Sequence, residues 1–430
     1  MTEAAPQIPA LTVETSPIAD PGPLAAHLDR DRPLLWRRRG FGIRGHGEAV
    51  RLEFSGEQRM TDAAAAWKQL VAAATITDPL RVPGTGLVAF GTFTFAADSA
   101  QTSVLIVPSV VVGRAEGRFW LTRIRQTDAS TGTGTGTGTD EPFAADLPAT
   151  EPLGTRPHVA LTPGSLSPEG YTKIVGEGVR RIRDGLLSKV VLARDLTGRL
   201  DDGGDIRTTI ATLADGYPDC WTFAVDGFFG ASPETLVGVH SGTVTARVLA
   251  GSAARGTDAA SDLDAATALA TSTKDQDEHE FAVQSVLSSL RPHSRGVVAS
   301  ETPFTLKLPN LWHLASDVEG LLDDGATSLD LIQSLHPTAA VAGTPTPDAV
   351  RLLGELEPFD RGRYAGPVGW VDADGDGEWA VALRSAQLDA DGTVTAWAGA
   401  GIVADSVPEQ ELVETRMKFR PIADAFDPAE

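Results

Sequence analysis

A lysine interrupts an apolar segment that otherwise has the composition of a buried strand. In "GLLSKVVLAR" (185–194), Lys189 is surrounded by leucine and valine residues, which favour β-structure. Glu234 occupies a similar position in "FFGASPETL". A lone charged residue in such a segment is often a side chain that reaches solvent. Burial, however, lowers the pKa of an amine and raises the pKa of a carboxyl group, so both residues are candidates for acid–base chemistry.

Two acidic clusters on predicted helices supply the ligand types of a metal site. Glu278 lies in "KDQDEHE", while Glu411, Glu414 and Lys418 in "PEQELVETRMK" are spaced so that all three share one helical face. Carboxylate oxygens, completed by waters and by the oxygens of a ligand, are what Mg²⁺ uses in proteins. For either cluster alone, a solvated helix face with ion pairs is the alternative.

Further polar groups in apolar segments are suited to binding anions. Arg384, in "EWAVALRSA", can bind a carboxylate through two parallel hydrogen bonds. Gly399 and Gly401, in "WAGAGIV", expose backbone N–H groups that can receive an anion. His313 and Tyr364 also lie in apolar surroundings. Each of these residues alone is more often structural, but together with a divalent cation they fit a small dicarboxylate.

The order of the predicted elements favours an α+β fold with large antiparallel sheets, because strands and helices do not alternate regularly. We expect residues 1–25, rich in proline and acid, to form a disordered tail, and residues 26–126 to form the strand-rich N-terminal part of the same fold. The Thr/Gly run makes residues 127–164 a flexible linker or loop. Residues 165–425 carry the candidate site, and a long helical region covers 258–290.

Composition excludes several classes of partner. The 430 residues include 36 Lys and Arg against 58 Asp and Glu, a net charge of −22, which disfavours binding to nucleic acid or to anionic membranes. Cys220 is the single cysteine, so a disulfide framework is excluded. The first 23 residues lack the apolar segment of a signal peptide, so we expect none, and no apolar run approaches the roughly 20 residues of a membrane helix. We expect a cytoplasmic protein and, as its assembly, a monomer or a weak dimer.

Ten motifs, in order, resemble those of the chorismate-utilising enzymes and, within that family, the isochorismate synthases. They are "LSKVVLAR", "GASPETL", "LAGSAARG", "KDQDEHE", "LWHLASDVEG", "LHPTAAVAGTP", "RGRYAGPVGWVD", "AVALRS", "AGAGIVADS" and "PEQELVETRMK", all within residues 165–422. The resemblance implies the chorismate-binding fold of anthranilate synthase component I, with large antiparallel sheets in a two-lobed sandwich and helices packed outside. Residues 165–425 would then be its chorismate-binding catalytic region.

The same resemblance implies how the acid–base and metal residues act. Lys189 would be the general base that activates a water for attack on C2 of chorismate, and Glu234 the general acid that protonates the departing C4 hydroxyl. Mg²⁺ would bridge Glu278 and Glu414 to the ring carboxylate, with Glu411 close by. Desolvation of both catalytic groups moves their pKa values in the directions that these roles require.

The resemblance also implies a set of substrate-binding residues. Arg384 and Tyr364 would hold the pyruvyl carboxylate, Gly251 would lie against the ring carboxylate, and His313 would lie near the ring hydroxyl. The complete set is Gly251, His313, Ala340, Val341, Tyr364, Arg384, Gly399, Gly401 and Lys418, in which Lys418 and the glycines assist with substrate anions.

Three alternatives to an isochorismate synthase remain: an ammonia-using relative, a bifunctional salicylate synthase and a non-catalytic chorismate-binding protein. Relatives that add ammonia carry a threonine where Ala340 stands, followed here by Val341, and they lack the lysine base, so we expect no glutaminase subunit. A bifunctional salicylate synthase would use the same first step and then eliminate pyruvate. A non-catalytic chorismate-binding protein would lack one of the catalytic residues. The Ala340–Val341 pair favours the menaquinone type over the siderophore type.

Overall fold

The computed structural model describes residues 8–127, 151–309 and 311–426, apart from the side chains of Lys274 and Glu278. Its strands, in chain order, are β1 (Leu11–Pro17), β2 (Leu34–Arg38), β3 (Phe41–His46), β4 (Val50–Phe54), β5 (Thr75–Thr77), β6 (Val88–Thr92), β7 (Ser103–Val107), β8 (Val110–Ala115), β9 (Arg118–Gln126), β10 (Thr162–Pro163), β11 (Lys189–Arg199), β12 (Trp221–Val225), β13 (Phe228–Ser232), β14 (Thr235–His240), β15 (Thr243–Ala254), β16 (Ser294–Ala299), β17 (Phe304–Lys307), β18 (Leu311–Leu322), β19 (Gly343–Thr344), β20 (Pro367–Asp372), β21 (Gly377–Val381), β22 (Ser385–Leu388) and β23 (Thr393–Ile402).

Eight α-helices and a short 3₁₀ helix (Leu24–His27) accompany these strands within the described ranges. They are α1 (Arg59–Ala73), α2 (Pro168–Arg183), α3 (Ile206–Gly216), α4 (Ala259–Thr271), α5 (Thr273–Leu290), α6 (Ser328–Leu335), α7 (Thr346–Leu356) and α8 (Pro408–Phe426). In the described part of the chain, no helix combines the length and the apolar character needed to cross a membrane.

The strands form two large sheets. The first has 13 strands in the order β10-β11-β23-β22-β13-β12-β2-β3-β8-β9-β1-β5, with β19 beside β11; the second has 10 in the order β16-β18-β15-β14-β21-β20-β6-β7-β4, with β17 beside β18. Neighbouring strands are antiparallel except for β1 and β5. The pairs β2–β12 and β6–β20 join the two halves of the chain, so each sheet contains strands from both.

One large apolar core draws residues from both sheets. Trp36 and Trp120 of the first sheet and Phe90 and Trp379 of the second belong to it, and all four are fully buried. A second core lies against the first sheet beneath α3 and α8, and it includes Phe229. The arrangement confirms the predicted α+β sandwich with helices packed outside.

The N-terminal residues are ordered from residue 8 onward, so the expected disordered tail is wrong for residues 8–25. β1 pairs with β9 over its whole length, from Leu11 opposite Gln126 to Pro17 opposite Trp120. Leu11, Val13 and Thr15 are buried, whereas Thr12, Glu14 and Ser16 are more exposed, which is the alternation of a half-buried strand. The expectation of disorder came from the proline and acid content of the segment, which does not reveal such a short alternating pattern. Residues 1–7 lie outside the described residues.

The predicted linker is also shorter than expected. Residues 151–164 are placed against the rest of the fold: β10 pairs with β11, and the N–H of Gly154 donates to Oδ2 of Asp205 at 2.7 Å. These contacts contradict a flexible linker over that part of 127–164. Residues 128–150, which hold most of the Thr/Gly run, lie outside the described residues.

The predicted helical region of 258–290 is confirmed, and it consists of two helices. Ser272 separates α4 from α5 in an extended conformation, and its hydroxyl accepts a hydrogen bond from the N–H of Asp275 at 3.3 Å. Serine is a preferred N-cap residue because its oxygen satisfies a donor of the first turn. This cap fixes where α5 begins and therefore where its acidic residues lie.

Candidate active site

Thirteen of the fourteen predicted site residues line one cavity of about 340 Å³. They are Lys189, Glu234, Gly251, His313, Ala340, Val341, Tyr364, Arg384, Gly399, Gly401, Glu411, Glu414 and Lys418. Glu278 lies in α5, but its side chain is outside the described residues. The cavity collects residues from both sheets and from α8. Spatial convergence does not by itself assign their roles, which remain proposals.

Lys189 is the first residue of β11, and it is buried, with 9% of its surface exposed. Its backbone lies opposite Thr344 of β19, and the next residue, Val190, lies opposite Ile402 of β23. The apolar residues after Lys189 form the strand, but the expectation of a strand on both sides of the lysine is wrong, because Leu186 and Leu187 precede β11. Pairing with β19 and β23 fixes the start of β11, and with it the lysine, at the cavity wall.

Glu234 follows β13 and is 5% exposed. Its N–H donates to the hydroxyl of Ser232 at 3.2 Å, which fixes the backbone there. Burial raises the pKa of Glu234 to about 8, and the charges of Lys189, Arg384 and Lys418 only partly offset that rise. The side chain is therefore largely protonated near neutral pH and able to donate a proton, as a general acid must.

The acidic side of the cavity is formed by α8. Nζ of Lys418 lies 2.6 Å from Oε1 of Glu414 and donates to the carbonyl oxygen of Gly399 at 2.9 Å. Although burial opposes it, Lys418 holds the pKa of Glu414 below its ordinary value. Glu411 lies one turn earlier on the same helix and also lines the cavity. In this structure, Lys418 is thus engaged by protein groups.

These carboxylates fit a hard divalent cation by the chemistry of their donors. Glu411 and Glu414 of α8 line the cavity, and Asp275 lines it from a second helix, α5. Mg²⁺ takes few protein carboxylates and keeps waters or ligand oxygens for its remaining positions. Among the described side chains, no three His, Cys, Asp or Glu residues are grouped closely enough to hold a metal by themselves. Asp275 was not predicted, although it lies within the quoted "KDQDEHE" motif.

The opposite side of the cavity is suited to a carboxylate. Arg384 is 7% exposed, and its guanidinium makes no hydrogen bond to any described residue. Burial lowers its pKa, but an arginine remains charged under all ordinary conditions. Tyr364 stands beside it, stacked on Trp397 with ring centroids 6.1 Å apart. An unpartnered buried guanidinium calls for an anionic ligand, since leaving such a charge uncompensated is costly.

His313 presents an acceptor to the cavity. Nδ1 lies 3.3 Å from the carbonyl oxygen of Gly251, so this nitrogen carries the proton and donates. Burial, together with Arg384 and Lys418, lowers the pKa of His313 to about 3, which keeps the ring neutral. Nε2 is buried and has no hydrogen-bond partner among the described residues. It can accept a hydrogen bond from a ligand hydroxyl.

Gly251 has a backbone conformation that explains its residue type. It lies at an irregularity in the pairing of β15 with β18 and has φ +80°, in the left-handed region. A Cβ at this position would lie 3.2 Å from Cβ of Asp275. Glycine therefore permits both the irregularity and the close approach of α5 to the cavity.

A buried ion pair behind the cavity was missed from the sequence. Arg361 donates to both carboxylate oxygens of Glu357 at 2.6 and 2.7 Å, and to the carbonyl oxygens of Val191 and Val341 at 2.6 and 2.9 Å. Glu357 also accepts the N–H of Ala193 at 2.7 Å. The pair thus joins β11 to the segment that carries Val341. The i, i+4 spacing in "ELEPFDRGR" was the available signal.

We predict that Glu357→Ala destabilises the fold by roughly 3–5 kcal/mol, because it leaves the buried guanidinium of Arg361 without its counter-charge. The measurement is the urea midpoint of unfolding, followed by circular dichroism. Glu355→Ala, at an exposed position of the same helix, is the matched control and should change stability by less than about 0.5 kcal/mol. Equal midpoints for the two variants would show that the buried pair contributes nothing.

Comparisons with known proteins bear on the family to which the chain belongs. A family model described as chorismate binding enzyme matches residues 5–427. Isochorismate synthase DhbC of Bacillus subtilis is 42% identical over 267 residues, which cover 59% of this chain and 66% of that protein. The structure of MenF, the menaquinone-specific isochorismate synthase of Escherichia coli, is 25% identical with a TM-score of 0.78, covering 98% of this chain and 96% of that one.

Anthranilate synthase component I of Streptococcus pneumoniae shares the fold at lower identity. Its structure superposes with a TM-score of 0.70 over 90% of this chain and 92% of that one, at 22% sequence identity. This likeness confirms the predicted fold class. With the family model matching nearly the whole sequence, the chain belongs to the chorismate-binding enzyme family.

Proposed function

We propose that this protein is an isochorismate synthase, which converts chorismate to isochorismate by adding water at C2 with loss of the C4 hydroxyl. The observation that carries the proposal is the pairing of Lys189 with a protonated, buried Glu234 on the walls of one cavity. An ammonia-using relative would not need the lysine as a base. The B. subtilis and E. coli relatives are themselves named isochorismate synthases.

The cavity residues support a specific division of labour. Lys189 takes a proton from the attacking water, and Glu234 gives its proton to the oxygen that leaves C4. Arg384 and Tyr364 hold the pyruvyl carboxylate, since the guanidinium has no hydrogen-bond partner among the described residues. His313 accepts a hydrogen bond from a ring hydroxyl through Nε2. These contacts orient chorismate between Lys189, the base, and Glu234, the acid.

We assign the cation to the acidic side. Mg²⁺ would be held by Glu414 and Glu278, with Glu411 close by, and its charge would compensate both these carboxylates and the ring carboxylate of chorismate. Glu411 and Glu414 line the cavity with oxygen donors of the right type. In this arrangement the residues of α8 position the carboxylate end of the substrate.

We predict that Glu414→Ala and Glu278→Ala each abolish Mg²⁺-dependent turnover. Loss of one carboxylate removes a ligand from a site that has few of them, and at Glu414 it also leaves Lys418 without its ion pair. The measurements are initial rate against Mg²⁺ concentration and Mg²⁺ binding by calorimetry. Glu409→Ala, at an exposed position at the start of α8, is the control and should retain both. A variant of Glu414 or Glu278 that kept the full metal-dependent rate would place the metal elsewhere.

The identity of the product formed from chorismate distinguishes an isochorismate synthase from the alternative functions. Purified protein is incubated with chorismate and Mg²⁺ in a buffer free of ammonium, with and without EDTA, and the products are separated by chromatography. Isochorismate formed only with the metal is the expected result. Salicylate and pyruvate would indicate the bifunctional enzyme, and product only after ammonium is added would indicate an amine-adding relative. Binding of chorismate without turnover would indicate a non-catalytic protein.

The remaining predictions concern the location, the assembly and the type of the enzyme, and they rest on the sequence. We infer a cytoplasmic enzyme that acts without a glutaminase subunit and assembles as a monomer or a weak dimer. The menaquinone type is favoured over the siderophore type by Ala340 and Val341, both of which line the cavity. A size-exclusion profile with light scattering tests the assembly.

A further inference from the structure

Glu234 lies on the wall between two cavities. On one side is the substrate cavity, and on the other is a space of about 10 Å³, here called the small cavity, which is also lined by Thr338, Ala340 and Arg247. Ala340 lines both spaces as well. The carboxyl group of Glu234 makes no hydrogen bond to a described residue, although only 5% of the residue is exposed. A group so placed needs a partner that the described protein atoms do not supply.

Thr338 is a second buried group of the same kind. It lies in the segment between α6 and β19 and is 7% exposed. Its carbonyl oxygen accepts the N–H groups of Val341 and Ala342, at 3.2 and 3.0 Å, so its backbone is fixed. Its hydroxyl oxygen, however, has no hydrogen-bond partner among the described residues. An unsatisfied buried hydroxyl that lines a small space beside an acid is a strong indication of a bound water.

The small cavity has the size that one water requires. A cavity that holds one water has a volume of at least about 10–15 Å³ and offers the water two to four polar partners, so a space of about 10 Å³ is at the lower limit. The small cavity provides about 10 Å³, with Thr338 and Glu234 as polar groups on its wall.

Beyond the small cavity lies a third space, here called the outer cavity, of about 490 Å³. The two spaces share Thr235, Ala246 and Arg247 as lining residues and are therefore adjacent. Exposed side chains, including Glu319, lie on the wall of the outer cavity. The order from the substrate outward is thus substrate cavity, Glu234, small cavity and outer cavity.

We propose that one water molecule occupies the small cavity, bound by Thr338 and Glu234, and returns a proton to Glu234 from the outer cavity after each turnover. The proposal rests on the function proposed above, and Thr338 is a positioning residue in it, because it acts through the water. Through this route Glu234 regains its proton without waiting for the product to leave the substrate cavity, which Glu234 also lines.

The numbers of protons released and taken up are equal, so no further reactant is required. Glu234 gives its proton to the C4 oxygen as the C4–O bond breaks with its electron pair on oxygen, and water departs. The resulting carboxylate takes a proton from the buried water, which takes one from water in the outer cavity. Lys189, which gained a proton from the attacking water, releases it to solvent. One proton is released and one is taken up, so the reaction consumes none.

The test uses three variants of the full chain. Thr338→Val keeps the shape of the side chain but removes its hydroxyl, and Thr338→Ser restores a hydroxyl. Thr209→Val is the matched control, because Thr209 is fully buried in α3, its hydroxyl also lacks a partner among the described residues, and it lines none of the three cavities. The readouts are kcat and KM for chorismate, the solvent deuterium isotope effect on kcat, and the urea midpoint.

We expect Thr338→Val to lower kcat about tenfold, a fraction of the roughly 10²–10⁴-fold that general acid–base catalysis contributes. KM for chorismate should stay within about twofold, since ground-state binding is untouched. The solvent isotope effect on kcat should increase, because proton return becomes limiting. Thr338→Ser should recover the rate and the isotope effect of the wild type, and Thr209→Val should match it in both.

Three results would overturn the proposal. Unchanged kcat in Thr338→Val, together with a higher urea midpoint, would show a hydroxyl that is simply unsatisfied, since replacing such a group with a methyl stabilises. A rise in KM that accompanies the fall in kcat would show a role in binding. A lower rate that Thr338→Ser does not restore would show a packing effect. Failure of the proposed function is distinct, because the wild-type protein would then form no isochorismate.

Discussion

Lys189→Ala should lower kcat for isochorismate formation by roughly 10²–10⁴-fold, the usual contribution of a general base. The variant should still bind chorismate with Mg²⁺, because Arg384, His313 and the residues of α8 are unaffected. The strand should also remain, since β11 is held by backbone pairing to β19 and β23. Steady-state kinetics and calorimetric binding of chorismate provide the two measurements.

The control for this variant is Lys173→Ala, which removes an exposed lysine from α2 and should leave kcat and binding unchanged. If Lys189→Ala loses chorismate binding together with turnover, the lysine holds the substrate or the structure, and the assignment as a base is wrong. A rate near that of the wild type would have the same consequence.

Glu234→Gln should reduce kcat to a similar extent, because an amide of nearly the same shape cannot donate the proton that the C4 oxygen needs. Binding of chorismate should be retained. The measurement is single-turnover formation of isochorismate, which separates the chemical step from product release. Glu234→Asp, which keeps a carboxyl group, should recover part of the rate. A Gln variant with the wild-type rate would show that another group is the acid.

The pH dependence of the wild type follows from the same group. Burial raises the pKa of Glu234 to about 8, against the opposing charges of Lys189, Arg384 and Lys418. The protonated form is the competent acid, so it predominates below this pKa and is lost as the pH rises through it. kcat/KM should therefore fall above about pH 8, whereas an alkaline limb near the ordinary pKa of glutamic acid would contradict the assignment.

The predicted site residues come together in the fold, while their roles stay predictions. Unusual residues marked some of them, and the family resemblance supplied Gly251, Ala340 and Val341. A lysine and an arginine in apolar segments and acidic residues at helical spacing were visible without a structure, and thirteen of the fourteen predicted residues line one cavity. The expectation that Arg384 lies in a strand is wrong, because it lies between β21 and β22 with φ 51°. Asp275 belongs to the acidic cluster around Glu278, but it was not among the predicted metal ligands, because the resemblance implied only Glu278, Glu411 and Glu414. Arg361 was missed because its partner, Glu357, and the carbonyl oxygens that it binds come together only in the folded chain.

The errors in the fold have a common physical origin. β1 is stabilised by β9, more than a hundred residues later, while its own composition favours disorder. Residues 151–164 are ordered by contacts with Asp205 and β11. In each case tertiary contacts decided the outcome over local propensity.

The central claim is that water, activated opposite a buried acid, supplies the new hydroxyl group. The most direct measurement is to incubate the enzyme with chorismate and Mg²⁺ in water enriched in the heavy oxygen isotope and to analyse isochorismate by mass spectrometry. We predict one heavy oxygen atom per product molecule, on C2, after the first turnover. Isochorismate that contains only the original oxygen atoms would contradict attack by water, and with it the roles given to Lys189 and Glu234.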